Sequence, residues 1–115
     1  MLKLIAYVTA RPGLSRDEFI NYYENNHVPL VRKLLPMVGA YRRNYVTPGL
    51  LPNGDAEVDY DAVTEIEFAD KAAFDAFYET IGQPEVNAQI RADEAQFLDT
   101  EATRIVGTTS YDQGP

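Results

Sequence analysis

Polar and apolar positions alternate from the second residue onward. Leu2, Leu4, Ala6 and Val8 fall on one side of residues 2–10, and Lys3, Ile5, Tyr7 and Thr9 on the other. The period of two predicts a first strand, and the apolar character of both sides predicts that both are covered. Arg11-Pro12-Gly13 is a turn. The period then lengthens. Leu14-Ser15-Arg16-Asp17-Glu18-Phe19 has the form of a helix start, with Ser15 as N-cap, Glu18 closing a capping box and Leu14 stapled to Phe19. Phe19, Tyr23 and His27 follow at i, i+4 and i+8, so a helix over about 16–26 carries them on one stripe with Tyr22 beside it. Pro29 lacks an N–H and disfavours helical geometry at Val28. The helix is therefore expected to break or kink there, restart with Leu30-Val31-Arg32-Lys33-Leu34-Leu35 and end between Pro36 and Gly39.

Ala40 to Thr47 alternates again and reads as a second strand, and Pro48 to Tyr60 as a long exposed connection rich in proline, glycine and acids. Ala62 to Phe68 is the third strand, with Thr64, Ile66 and Phe68 on one face and Val63, Glu65 and Glu67 on the other. Asp70 caps a helix in which Phe74, Phe77, Tyr78 and Ile81 keep the spacing of one buried face, and Gly82 stops it. Pro84 suits the first turn of a short helix from Glu85 to Ala92, followed by a separate helical turn over Asp93-Glu94-Ala95-Gln96-Phe97-Leu98-Asp99. Thr103 to Thr109 is the last strand. The order βαββαβ predicts an α+β fold, the ferredoxin-like plait, with a four-stranded antiparallel sheet and its main helices on one face. Residues 1–110 form one domain on this reading and residues 111–115 a polar tail. The other sheet face, assigned Ile5, Tyr7, Tyr45, Val63 and Ile105, then lies bare, and a second copy of the chain is the simplest cover.

Charge narrows the partners. The net charge of −8 repels phosphate backbones and anionic lipid, and the basic residues cluster only as Arg32-Lys33 and Arg42-Arg43, so neither nucleic acid nor membrane is an expected partner. No segment approaches the ~20 apolar residues of a membrane span, and Met1 to Val8 is too short for a signal-peptide core. The absence of cysteine points to a reducing compartment, and the expected location is the cytoplasm.

Several segments together resemble the EthD family, named for an ethyl tert-butyl ether degradation locus. They are the first strand running into Arg11-Pro12-Gly13-Leu14-Ser15, then Tyr23-x-x-x-His27-x-Pro29-Leu30, Tyr41-x-x-Asn44, Asp61-x-x-x-Glu65-x-x-Phe68, and Asp93-Glu94-x-x-Phe97-Leu98-Asp99. The resemblance spans about residues 2–109. It implies a dimeric α+β barrel in which two sheets pack face to face, with a small-molecule cleft in each subunit between sheet and helices. Relatives in the wider superfamily include cofactor-free monooxygenases, muconolactone-type isomerases and polyketide cyclases, and fungal members act as dehydratases or decarboxylases. Where many members have a histidine after the strand-two asparagine, this chain has Tyr45, which leaves no second histidine for a two-histidine mechanism.

The residues themselves offer limited chemistry. There is no glycine-rich phosphate loop, no G-x-S-x-G elbow and no cysteine, and a single histidine is too few for a typical catalytic metal site, so no cofactor or metal is expected. His27, Glu65 and Tyr45 are the candidate catalytic groups around a cleft. An imidazole and a buried carboxyl can remove and return a proton, and Tyr45 or Asn44 can hydrogen-bond a developing enolate or phenolate oxygen. These two have opposite parity, so only one faces inward. Tyr7, Tyr23, Asn44, Val63 and Asp93 are candidate substrate-binding residues.

Each has a structural alternative. His27 can bond a backbone carbonyl, and Glu65 can pair with Arg43 or Arg104. Tyr7 and Tyr45 can pack at a dimer interface, Tyr23 can serve as wall, and Asp93, Glu94 and Asp99 can cap turns or form ion pairs. The expected function is cofactor-free acid–base catalysis of isomerisation, cyclisation, dehydration or decarboxylation on an aromatic, polyketide-like or lactone molecule. A non-catalytic binding protein of an oxidative degradation pathway and a cofactor-free monooxygenase are the alternatives.

Overall fold

The computed structural model describes residues 2–114. Strand β1 (Leu2–Val8) leads into helix α1 (Arg16–Tyr22), a π-helical segment (Tyr23–His27) and α2 (Val28–Leu34). Strands β2 (Tyr41–Tyr45) and β3 (Ala62–Phe68), helices α3 (Lys71–Ile81) and α4 (Pro84–Phe97), and strand β4 (Arg104–Thr109) follow. All three strand pairings are antiparallel, in the order β2-β3-β1-β4, and the helices cover one face. This is the ferredoxin-like plait read from the sequence.

Local chemistry builds the first helix as expected. Ser15 Oγ accepts from the Glu18 N–H at 3.1 Å while Glu18 Oε1 accepts from the Ser15 N–H at 2.9 Å. Beyond it two expectations are corrected. Of the break or kink expected at Pro29, the break is absent: Tyr23, His27 and Val28 keep right-handed helical geometry, and the Val28 N–H reaches five residues back to the Tyr23 carbonyl. A wider π turn placed just before the proline shifts the carbonyl register, so the ring finds room and its missing N–H interrupts no helix. The second correction concerns α4, which runs unbroken to Phe97 instead of ending at Ala92. Ile90 and Phe97 are both buried on its inner stripe, so tertiary packing carries the helix through Asp93-Glu94.

Register sorts the strand residues into two faces. Ala6, Thr64 and Arg43 align across the sheet, as do Val8, Ala62 and Tyr45, and these point toward the helices with Ile66, Phe68 and Tyr41. Phe19, Phe68 and Phe97, each no more than 1% exposed, are the centre of the core. The opposite face carries Lys3, Ile5, Tyr7, Val63, Glu65, Glu67, Arg42, Asn44 and Val106. Tyr45 and Ile105 are therefore not on the bare face as expected; Ile105 aligns with Ala6 on the helix side. The bare face is also more charged than its hydrophobic positions predicted. Lys3 Nζ lies 2.9 Å from Glu65 and 3.3 Å from Glu67, and Arg42 lies 3.0 Å from Glu67.

Candidate active site

His27 ends the π-helical segment and is only 6% exposed. Its imidazole packs 4.9 Å from the Phe97 ring and receives the edge of Tyr23 at 5.6 Å. Nδ1 lies 2.8 Å from Oδ2 of Asp93 on α4, and Asp93 Oδ1 accepts the Tyr22 hydroxyl at 2.7 Å. Tyr22 stacks on Phe97, and burial, reinforced by Asp93, pushes its phenol up to about 12. A carboxylate can only accept, so Nδ1 carries a proton toward Asp93, and in the neutral ring Nε2 is left as a base.

Nε2 has no partner among the described residues. Those residues contain no fully buried side-chain nitrogen or oxygen without a hydrogen bond, so Nε2 keeps contact with open space. His27 lines a cavity of about 100 Å³ between sheet and helices, walled also by Tyr41 and the apolar side chains of Val31, Leu35, Ile66 and Phe77 among others. Arg91 and Glu94, paired at 2.5 Å, stand on its rim.

A second polar network lies beside the first on the same face. Arg43 grips Glu24 through two bonds of 2.6 and 2.8 Å, and the Tyr45 hydroxyl donates to Glu24 at 2.5 Å. The Arg43 guanidinium holds the Glu24 carboxyl below the usual carboxylate range. Tyr23 stands between the two networks, with its hydroxyl 2.7 Å from Thr64 Oγ1 and its ring 5.9 Å from Tyr45.

Of the residues singled out from sequence, His27, Asp93, Tyr23 and Tyr45 share the helix side of the sheet. Glu65, Asn44, Tyr7 and Val63 do not. Glu65 is bonded to Lys3 and to the Asn44 amide, each at 2.9 Å, and Tyr7 packs against Tyr60 at 5.2 Å on the bare face. The expected meeting of His27 and Glu65 around one cleft is corrected by the pleat: an odd-numbered β3 residue points away from the helices that carry His27. His27 bonds a carboxylate rather than a backbone carbonyl, and Glu65 pairs with neither Arg43 nor Arg104. Asp99 does cap a turn, accepting from the Ala102 N–H at 3.2 Å. Glu24 has no place in the sequence reading, and Tyr22 stands there only beside the aromatic stripe, with no role in the site. Continuous α4 supplies the missed signal for Asp93, which falls on the stripe Val86, Ile90, Asp93, Phe97, where a lone acid needs a buried partner. Among the described residues no three His, Cys, Asp or Glu side chains gather as a metal site.

The fold and site together define a ferredoxin-like α+β protein with a histidine–carboxylate pair opening on an apolar cavity between sheet and helices. The chain belongs to the EthD family: the model of the EthD domain matches residues 11–101, which contain His27, Asp93 and most of the cavity wall. It superposes on an EthD family protein from Bacillus halodurans C-125 with a TM-score of 0.67 and 22% identity, covering 96% of this chain and 99% of that one. A dimeric protein of ferredoxin-like fold from Bacteroides fragilis NCTC 9343 matches with a TM-score of 0.57, 10% identity and 93% coverage of both chains. An antibiotic biosynthesis monooxygenase matches with a TM-score of 0.54 and 21% identity, over 97% of this chain and 100% of that one. At these identities the likeness is one of fold. No curated protein matches the chain, and among the described residues no helix is long and apolar enough to cross a membrane.

Proposed function

We propose that this protein is a small-molecule enzyme that works by acid–base chemistry without a bound cofactor, with His27 as the proton-transferring group. The observation that carries this reading is the 2.8 Å contact of Nδ1 with Asp93 in a histidine that lines an apolar cavity and whose Nε2 has no protein partner among the described residues. Nε2 takes a proton from a carbon beside a carbonyl, or from a phenolic oxygen, and returns it at another position. Asp93 orients the ring and stabilises the imidazolium that forms, and Tyr22 holds the second carboxylate oxygen in place. Dry walls strengthen each of these interactions. Positioned proton transfer of this kind contributes roughly 10²–10⁴ in rate. The substrate class is a small aromatic or lactone-like molecule. Tyr45, committed to Glu24, supports the site rather than reacting in it, and Glu65 has no part.

The working form on this reading is a homodimer joined through the bare sheet face. Half-buried Ile5, Tyr7 and Val63 lie beside Val106, 43% exposed, as a patch across three strands, and the charges around it are already paired within the chain. The dimeric form of the Bacteroides fragilis protein of ferredoxin-like fold supports a pairing of two copies. Light scattering is expected to give the mass of a dimer, and Val106→Arg the mass of a monomer; a monomeric parent protein rejects the pairing.

The chemistry is tested in deuterium oxide with cyclohexanone and a small butenolide as carbon-acid probes, following loss of the acidic proton signals by NMR. The parent protein is expected to accelerate exchange and His27→Asn to abolish the acceleration while keeping its melting temperature within a few degrees. Binding of the probes without exchange identifies a carrier instead, and a collapse of the fold in His27→Asn identifies the histidine as structural.

A further inference from the structure

We infer that Tyr41 is a second catalytic residue of this site, which takes ligands with a hydrocarbon body and one oxygen function that accepts from the Tyr41 hydroxyl beside His27. This rests on the reading of His27 given above. Tyr41 opens β2, is 7% exposed, aligns with Ile66 on the helix side and walls the same cavity as His27. Its hydroxyl lies beside that of Tyr23, and the hydrogen bond between the two enters the ionisation of both phenols. Tyr41 and His27, each more than nine-tenths buried, wall one void.

The ring cannot swing out of the way. The Arg43 guanidinium stands 5.1 Å from its centroid and that of Arg32 5.9 Å, and Arg32 is itself tied to the Val38 and Gly39 carbonyls at 3.0 and 2.8 Å. Burial keeps the phenol far above its ordinary range, so it stays protonated and able to donate. The Tyr23 hydroxyl, bonded to Thr64, lies near enough to influence its ionisation. The remaining wall is apolar apart from Arg91 and Glu94, which satisfy each other on the rim.

Such a wall rejects sugars, phosphates and dicarboxylates, because their further polar groups would be buried without partners. A phenol finds both partners there, donating to Nε2 and accepting from Tyr41, whereas a ketone or lactone carbonyl accepts from Tyr41 alone and leaves Nε2 for the acidic C–H. In the reaction the proton leaves carbon for Nε2 and the C–H pair becomes the new C=C bond. The carbonyl π pair moves onto oxygen, which accepts a hydrogen bond from Tyr41 without taking its proton; reprotonation reverses each movement.

The test compares phenol with benzene, which differ by the one hydroxyl. Dissociation constants are measured by calorimetry, and the imidazole C–H signals of the sole histidine show whether the ligand sits beside it. The parent protein is expected to bind phenol about five- to tenfold more tightly than benzene, and Tyr41→Phe to remove most of that preference while leaving benzene affinity unchanged. In the unsubstituted protein, nuclear Overhauser contacts from phenol to the Tyr41 ring give the same answer without relying on the variant's folding. Retention of the full phenol preference in Tyr41→Phe, or absence of those contacts, overturns the role of Tyr41 while proton exchange by His27 stands. Failure of both ligands to shift the His27 signals overturns the ligand class, and the deuterium experiment then judges His27 independently.

Discussion

His27 Nδ1 and Asp93 Oδ2 lie 2.8 Å apart although 66 positions separate the two residues in the chain. The bond joins the π turn to α4 and leaves Nε2 as the ring nitrogen without a protein partner among the described residues. Asp93→Asn keeps the shape but changes the donor pattern. The amide oxygen accepts the Tyr22 hydroxyl, which turns the NH2 group toward Nδ1 and forces the neutral ring to protonate at Nε2. Nitrogen-15 NMR is expected to show that tautomer switch, with proton exchange on carbon acids falling about 10–100-fold. Unchanged exchange would reduce Asp93 to a structural partner.

Glu24 provides the pH dependence. Its carboxyl titrates below its ordinary value in the folded protein, first through the hydrogen bonds to Arg43 and then through Tyr45. The unfolded carboxyl titrates near its ordinary value of about 4.3, so the unfolded state takes up the proton first on acidification. The contribution is therefore complete above that value and is lost as pH falls through the lower folded value. Glu24→Gln is expected to cost about 1–3 kcal/mol at neutral pH and to flatten the acid limb of the stability curve, measured by urea unfolding at several pH values. An acid limb as steep as that of the parent protein would refute the assignment.

Glu65 should be silent in catalysis. It faces away from His27 and is engaged by Lys3 and Asn44. Glu65→Ala is expected to leave proton exchange and phenol binding unchanged and to cost about 1 kcal/mol in stability, because Lys3 retains Glu67 at 3.3 Å. A large loss of exchange activity would place Glu65 back in the site.

Gly39 carries an unannounced constraint. A Cβ there would sit 2.9 Å from the Glu67 carbonyl oxygen, which also accepts the Gly39 N–H at 2.8 Å. Since a backbone carbonyl in β3 cannot yield as a flexible side chain does, Gly39→Ala is expected to cost about 1–3 kcal/mol and lower the melting temperature by several degrees. A melt equal to that of the parent protein would show that the strand entry adjusts freely.

Legibility in the sequence followed the range of the interactions. The Ser15–Glu18 capping box spans three residues, and the split of β3 into Thr64, Ile66 and Phe68 against Val63 and Glu65 follows from the pleat; both were readable because local backbone geometry imposes them. The order of strands and helices was readable from the same periods, and with it the plait. Which face of each strand met the helices was not. Tyr45 and Ile105 were placed on the bare face and Glu65 in the cleft, because parity separates two faces without saying which one a distant helix will cover.

The site depended on the same long-range facts. His27 stood out as the only imidazole on an aromatic stripe, but its partner came from α4, whose continuity through Asp93 rests on the burial of Ile90 and Phe97. The passage of the helix through Pro29 likewise depended on a π turn that no spacing rule announces. By itself the sequence determined the elements, their order and the residue most worth watching, since these depend on neighbours within a few positions. Only the tertiary structure decided that Asp93 and Tyr41, rather than Glu65, share a space with His27, because that choice is made by strand register and helix packing between residues far apart in the chain.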